Sequence, residues 1–495
     1  MSAPLPHTVA PAPHKPVAED LSISNEKTLG GKPGLKKEDS EDGPHVKTVP
    51  AEGSILESGE IIYRTMSWQK ATCLLLCEYV CLAILAFPSA YSKLGMAGGL
   101  IATFFFGLVT LYTSRTLWQY CLRHPSSLHI ADIAAHIFGR GNATRARIAY
   151  ELTAIALCIN NIMIMGLHTL TGSEIINTLA SKPACSVGLS IAVTVLCIIG
   201  TLPRKLDQVA ILGIVSAASM FVSIVLVLIF SGIQGKHPAN APDPENVKIT
   251  IHAFAPPGTT FVQGFNAMLQ IVFTWVGQIM YPSFIAEMKE PRDFGKALYV
   301  VTAVEFVLFS VVGATVYGLT GENAGAPAVV TLKPVYKKIA FSFVFPVTVI
   351  IGVLYASVVA KYIFGRIFAG TRHFNNHTLL GWAGWVGIVA STWLLGWIIG
   401  EAVPFFGDLL SLMSALFDGW FGLLFWAVSF AQIHDGQLWV GQGLRRKSET
   451  IFNILIAAAG LFIFGPGLYT SVQAIIDSYA AGTVGHPFTC ANNAI

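Results

Sequence analysis

The chain has 495 residues, of which 53% are hydrophobic and only 12% charged. Soluble chains carry about 25% charge, so water cannot cover this surface alone and lipid must cover much of it. The net charge of +3, with no concentrated basic patch, argues against a nucleic-acid partner.

Residues 1–68 carry eight prolines, ten acids and seven basic residues among few aromatics. That composition cannot bury enough apolar surface to fold and predicts a disordered cytoplasmic tail. No apolar h-region follows Met1, so the tail does not read as a signal peptide. Beyond it lie apolar runs long enough to span a bilayer, each needing about 20 residues. Eleven are expected, near 69–91, 97–121, 147–176, 187–203, 207–232, 262–287, 297–320, 339–365, 379–400, 404–431 and 450–477. A tail of residues 481–495 closes the chain.

Basic residues set the expected orientation. With the N-terminus cytoplasmic, the inner loops hold fifteen Lys and Arg, among them Arg123, Arg140, Arg204, Lys289, Arg292 and Arg445, and the outer loops seven. This obeys the positive-inside rule and puts the C-terminus outside. Cys185 and Cys490 then share the oxidising side, where a disulfide can form. The sequons at Asn142 and Asn376 fall inside, where neither is glycosylated. Five further cysteines (Cys73, Cys77, Cys81, Cys158 and Cys197) lie in apolar runs and read as small hydrophobes. No CxxC or Cys/His cluster points to a metal, and no cofactor is implied.

Spans one and six are interrupted. Each contains an aromatic-Pro-Ser triplet, Phe87-Pro88-Ser89 and Tyr281-Pro282-Ser283. Proline removes a donor and clashes with the preceding turn. Free backbone groups at membrane depth are tolerated only where they line a cavity. The interruptions lie five spans apart, the spacing of two inverted repeats (residues 69–232 and 262–431) plus an extra helix at 450–477. In such folds the broken helices form the binding site near the midplane, their positive half-helix ends facing an anionic group.

Four stretches resemble the amino acid/auxin permease family, especially its fungal neutral amino acid permeases. They are Glu78 with Leu85-Ala-Phe-Pro-Ser-Ala-Tyr91 and Gly95 in span one, Gly166-Leu-His-Thr-Leu-Thr-Gly-Ser173 in span three, Ile285-Ala-Glu-Met-Lys-Glu-Pro-Arg-Asp-Phe294 after span six, and Ala360-Lys-Tyr-Ile-Phe-Gly-Arg-Ile-Phe368 ending span eight. The resemblance covers roughly residues 60–480. It implies a leucine-transporter-type fold, an all-α polytopic membrane protein with a 5+5 inverted repeat plus one extra helix, and coupled amino acid uptake. One departure stands out: Ala83-Ile-Leu-Ala86 occupies the stretch where the family often has Gly or Ser. Substrate is therefore expected on backbone groups near Ile84, Leu85, Ala86 and Phe87.

Opposite these, Thr274, Trp275, Gly277, Gln278 and Tyr281 flank the span-six break and complete the expected pocket. Charge inside a membrane is expensive and usually functional. Glu78, ten residues into span one, is thus a proton-coupling candidate, with Glu305 in span seven under the same suspicion. His168 titrates near physiological pH and is a second coupling candidate. Lys361, near the sodium position of this fold, is a third, since its ammonium can replace a bound cation; Ser357 could instead help bind an ion. Arg64 and Trp68 precede span one and suggest an inner latch onto Glu287 or Asp293.

The expected function is proton-coupled symport of neutral amino acids by alternating access at the plasma membrane. The scarcity of acids in the broken segments argues against cationic substrates. A sensor on the same scaffold, a sodium-coupled carrier and a vacuolar carrier are the alternatives. No ring of charges suggests a channel, and no HExxH or GxSxG motif suggests an enzyme.

Overall fold

The computed structural model describes residues 66–180, 184–204, 207–439, 441–482 and 486–490. Residues 1–65 of the polar tail, Arg64 included, lie outside them. The described chain is nearly all helix; its one isolated β-bridge joins Met66 and Met288 in parallel.

Helices α1 (Trp68–Tyr79) and α2 (Phe87–Leu94) flank a 3-10 turn at Leu82–Ala86. The segments Trp68–Tyr79 and Leu82–Leu94 are bent by 44° and together are long and apolar enough to cross a membrane. Then come α3 (Met96–Arg123), α4 (Ile130–Gly139), α5 (Ala143–Leu179), α6 (Ser186–Thr201) and α7 (Asp207–Gln234). The second half holds α8 (Phe261–Trp275), α9 (Tyr281–Glu287), α10 (Phe294–Thr320), α11 (Pro334–Phe368) and α12 (Leu379–Ala402). It closes with α13 (Phe406–Met413), a π-helical stretch (Ser414–Leu424), α14 (Phe425–Ile433) and α15 (Leu444–Ala480). Among the described residues, eight helices are long and apolar enough to cross a membrane, or nine with the bent pair. Helices satisfy their own backbone groups, which lipid cannot, and long apolar runs here fold into little else. The protein is an all-α, multi-pass membrane protein.

Two features were not expected. The connection between α3 and α5 holds the short helix α4, whose start is closed by reciprocal bonds between His129 and Asp132. The tenth span is π-helical at its centre, a form that is rare and often marks functional sites.

Side-chain bonds tie the outlying helices to the broken ones. Asp408 on α13 accepts from Asn266 on α8 at 3.0 Å and from Ser478 on α15 at 2.7 Å. Asn453 on α15 donates to the Tyr112 hydroxyl on α3. Cys185 and Cys490 form a disulfide across 305 residues of sequence, and Ser186 donates to the Thr489 carbonyl beside it.

Candidate functional site

Both proline triplets begin a half-helix; neither sits in a break. Pro88 and Pro282 each lie within the first two positions of their helices. There the missing N–H has no intrahelical partner to lose and the fixed φ suits the helix. The breaks lie upstream, at Val80–Cys81 in span one and at Val276–Met280 in span six.

The two breaks meet. The hydroxyl of Tyr79, the last residue of α1, lies 2.5 Å from that of Tyr281, the first of α9. Gly277 makes room for this contact: a Cβ at that position would collide with the Tyr79 hydroxyl. In the span-six linker, Met280 N–H donates to Gly277 O and Tyr281 N–H to Gln278 O. The Gln278 side chain is fully buried and donates to Thr113 Oγ1 on α3 at 3.2 Å, while its Oε1 has no partner among the described residues.

An aromatic wall closes one side. Trp275 packs against Phe306 and Phe309 of α10, both at 4.9 Å between ring centroids, and Phe309 reaches Phe87 at the same distance. Gly107 on α3 admits this wall, since a Cβ there would stand 2.7 Å from the Trp275 ring. The indole Nε1 of Trp275 is buried without a partner. Thr274 turns its hydroxyl back to the Gln270 carbonyl at 3.1 Å. Ile84, Leu85, Ala86 and Phe87 are all buried in the 3-10 turn and the start of α2.

Two acids stand beside this junction. Glu78 precedes Tyr79, and its Oε2 is enclosed without a partner; Glu305 on α10 is buried, its Oε1 likewise unpartnered. Helix α10, which carries Glu305, packs against both α1 and α2. The structure thus joins Glu78, Trp275, Gly277, Gln278 and Tyr281 in one neighbourhood.

Other expected residues lie elsewhere. His168 on α5 packs at Gly352 of α11, in a contact that also involves Trp393 of α12, and its Nδ1 is unpartnered. Lys361 is half-buried on α11 and engaged by a neighbour. Ser357, a turn earlier, donates to the Val353 carbonyl at 2.8 Å. Trp68 is the half-buried first residue of α1. The expected latch starts from Arg64, outside the described residues; beside it, the backbone pairs at Met66. Met66 N–H donates to the Glu287 carbonyl at 3.2 Å, and Lys289 N–H to the Met66 carbonyl at 2.9 Å. Asp293 pairs with Lys296 at 2.9 Å.

Four residues of interest escaped the sequence reading. Tyr79 and Thr113 carry no local signal; only packing brings them to the break. Glu174 on α5 and Asp418 in the π-helical stretch are buried, each with an unpartnered oxygen. The rule that flagged Glu78, an acid within an apolar run, would have found both. Among the described residues, no group of three or more His, Cys, Asp or Glu could hold a metal ion.

Residues 64–473 match the model of a family described as "Transmembrane amino acid transporter protein". The chain belongs to the transmembrane amino acid transporter family. This family member is 30% identical over 439 residues to the N amino acid transport system protein of Neurospora crassa, covering 88% of this chain and 90% of that one. It is 28% identical to a transmembrane transporter of Fusarium pseudograminearum, covering 87% and 88%. It is 23% identical to amino acid transporter AVT1C of Arabidopsis thaliana, covering 80% and 67%. Among solved structures, a nucleobase-cation-symport-1 family transporter in a closed conformation covers 85% of this family member and 93% of its own chain, at 12% identity and a TM-score of 0.49.

Proposed function

We propose that the chain is a proton-coupled symporter of neutral amino acids at the plasma membrane, built as two inverted five-helix repeats plus one extra helix. The observation that carries this reading is the meeting of two interrupted spans at Tyr79 and Tyr281 beside the enclosed acid Glu78. Substrate carboxylate and ammonium are held by backbone groups of the two breaks, with the Gln278 amide and the Trp275 indole in reach. The substrate side chain lies against Trp275, Phe309 and Phe87. Glu78 carries the coupling proton, which crosses with the substrate when one helix bundle rocks against the other.

The N-terminus faces the cytoplasm and the C-terminus the exterior. The Cys185–Cys490 disulfide supports this orientation, because such bonds persist on the oxidising side. The Met66–Met288 pairing and the Tyr79–Tyr281 contact then close the inner route, two steps of one gate.

Uptake of a panel of labelled amino acids into proteoliposomes, with and without an imposed pH gradient, tests the reading. Neutral amino acids accumulate only under an inward proton gradient, and replacing sodium by choline changes nothing. Binding without accumulation would make the chain a sensor, and loss of uptake in choline a sodium carrier.

A further inference from the structure

Glu305 has no role in the resembled motifs, yet it is the more deeply enclosed of the two acids. It lies eleven residues past Phe294, and Glu78 lies ten past Trp68. Helices α1 and α10 belong to spans one and seven and so run in the same direction. At about 1.5 Å per residue both acids sit roughly 15 Å from the same face, near mid-bilayer. Each has an oxygen without a partner, and their helices α1 and α10 pack against each other. The titratable groups near both acids are Tyr79 and Tyr281, with Tyr355 and Cys81 near Glu78. With ordinary pKa values of about 8.5 for Cys and about 10 for Tyr, all four are neutral at physiological pH. Among the described residues, neither acid forms an ion pair with a basic side chain.

Two carboxylates in a water-poor site with no cation between them cannot both ionise at reasonable cost. One proton shared by the two removes the repulsion and leaves a single delocalised charge. Glu305 also touches the pocket wall through its own helix. Phe309, four residues on, lies on the same face and contacts both Trp275 and Phe87.

We infer that Glu305 is the second half of the coupling site, and that Glu78 and Glu305 hold one exchangeable proton between them. The proton arrives from the outer side, joins the pair while substrate fills the pocket, and leaves to the inner side after the bundle has rocked. No bond other than that to the proton forms or breaks. This inference rests on the symport reading, since it supplies the chemistry of the same site.

The test compares Glu78→Gln, Glu305→Gln, the double variant and Glu305→Asp in proteoliposomes, normalised to folded protein. Two quantities are read: accumulation driven by a pH gradient, and substrate exchange without a gradient. Each single Gln variant loses gradient-driven accumulation by about tenfold or more, while exchange falls far less. The double variant is no worse than either single, as expected of residues acting as a unit. Glu305→Asp restores accumulation with a displaced pH profile. Wild-type accumulation and pH profile in Glu305→Gln, or losses that multiply in the double variant, overturn the inference.

An infrared difference spectrum of the purified wild-type protein provides a readout that needs neither transport nor a stable Gln variant. A protonated carboxyl band that responds to substrate, and shifts in Glu305→Asp, supports the pair. Its absence overturns the pair. Should the wild-type protein ignore a pH gradient, the symport reading falls while the spectrum still judges the shared proton.

Discussion

The two broken spans solve one problem with different chemistry. Span one changes from α-helix to a 3-10 turn of Leu82–Ala86, five apolar residues that are all buried. Span six opens into a five-residue linker, Val276–Met280, that includes a glycine and a buried amide. The first break therefore offers backbone and bulk, and the ionisable group sits one helical end away at Glu78. The second offers side-chain polarity through Gln278, Trp275 and Tyr281. In the proposed function, recognition of substrate polar groups leans on span six, whereas charge handling leans on span one and its neighbour α10.

The sharpest way to break this comparison is at Gly277. A side chain there must displace the Tyr79 hydroxyl, which separates the two breaks. Gly277→Val lowers uptake by on the order of tenfold or more, because a buried hydroxyl left unpaired costs about 1–3 kcal/mol. Tyr79→Phe leaves the ring Cζ 2.6 Å from that Cβ, whereas Tyr79→Leu removes the ring, so Gly277→Ala with Tyr79→Leu transports better than Gly277→Ala alone. Uptake per surface-expressed molecule checks both. No rescue would mean that the collision is not what fails.

The hydroxyl pair itself comes next. Tyr79→Phe or Tyr281→Phe alone strands the other hydroxyl and destabilises by about 1–3 kcal/mol, whereas replacing both is nearly neutral. Thermal midpoints of the three variants in detergent measure this. Equal penalties that simply add would show that the 2.5 Å contact contributes nothing as a pair.

Much of this was legible in the sequence, though unevenly. Apolar run length places the helices, since a run of about 20 apolar residues crosses lipid with its backbone satisfied only as a helix. The proline triplets identify which spans are broken. They mislead about where, because proline favours the first turn of a helix as readily as it ends one. Glu78 and Glu305 are visible as acids in apolar runs, but nothing local says that their helices pack together. The contact between Tyr79 and Tyr281 spans 202 residues and exists only after spans one and six pack. The polar break is easier to read than the apolar one: Gly277 and Gln278 announce a loop, while Ala83-Ile-Leu-Ala86 looks like ordinary helix.

A smaller effect separates substrate recognition from scaffold. Gln278→Ala removes an amide bonded to Thr113 and raises KM by about 5–30-fold, the worth of one or two kcal/mol. Ala83→Ser puts a hydroxyl into the apolar turn. It lowers the thermal midpoint through an unsatisfied polar group, costing about 1–3 kcal/mol, and leaves KM nearly unchanged. KM and midpoint measured on both variants should move in opposite patterns; parallel changes would erase the distinction between the two breaks.

The smallest effect lies at the outer ends of the half-helices. Thr260 caps α8 in a reciprocal box with Gln263, both bonds at 3.2 Å. Ser67 caps α1 with a single bond to Lys70 N–H at 3.4 Å, and Lys70 cannot return it as Gln263 does. Thr260→Ala therefore destabilises by about 1 kcal/mol and Ser67→Ala by a few tenths, read as thermal midpoints. The weak cap on α1 is affordable because Met66, one residue earlier, is already held through both its N–H and its carbonyl by Glu287 and Lys289. In span one, backbone pairing to the end of α9 replaces the side-chain cap, so the inner half-helix is anchored to the very element whose first residue, Tyr281, it meets at its other end. A Ser67→Ala penalty as large as that of Thr260→Ala would show that the cap, and not this pairing, fixes the start of the span.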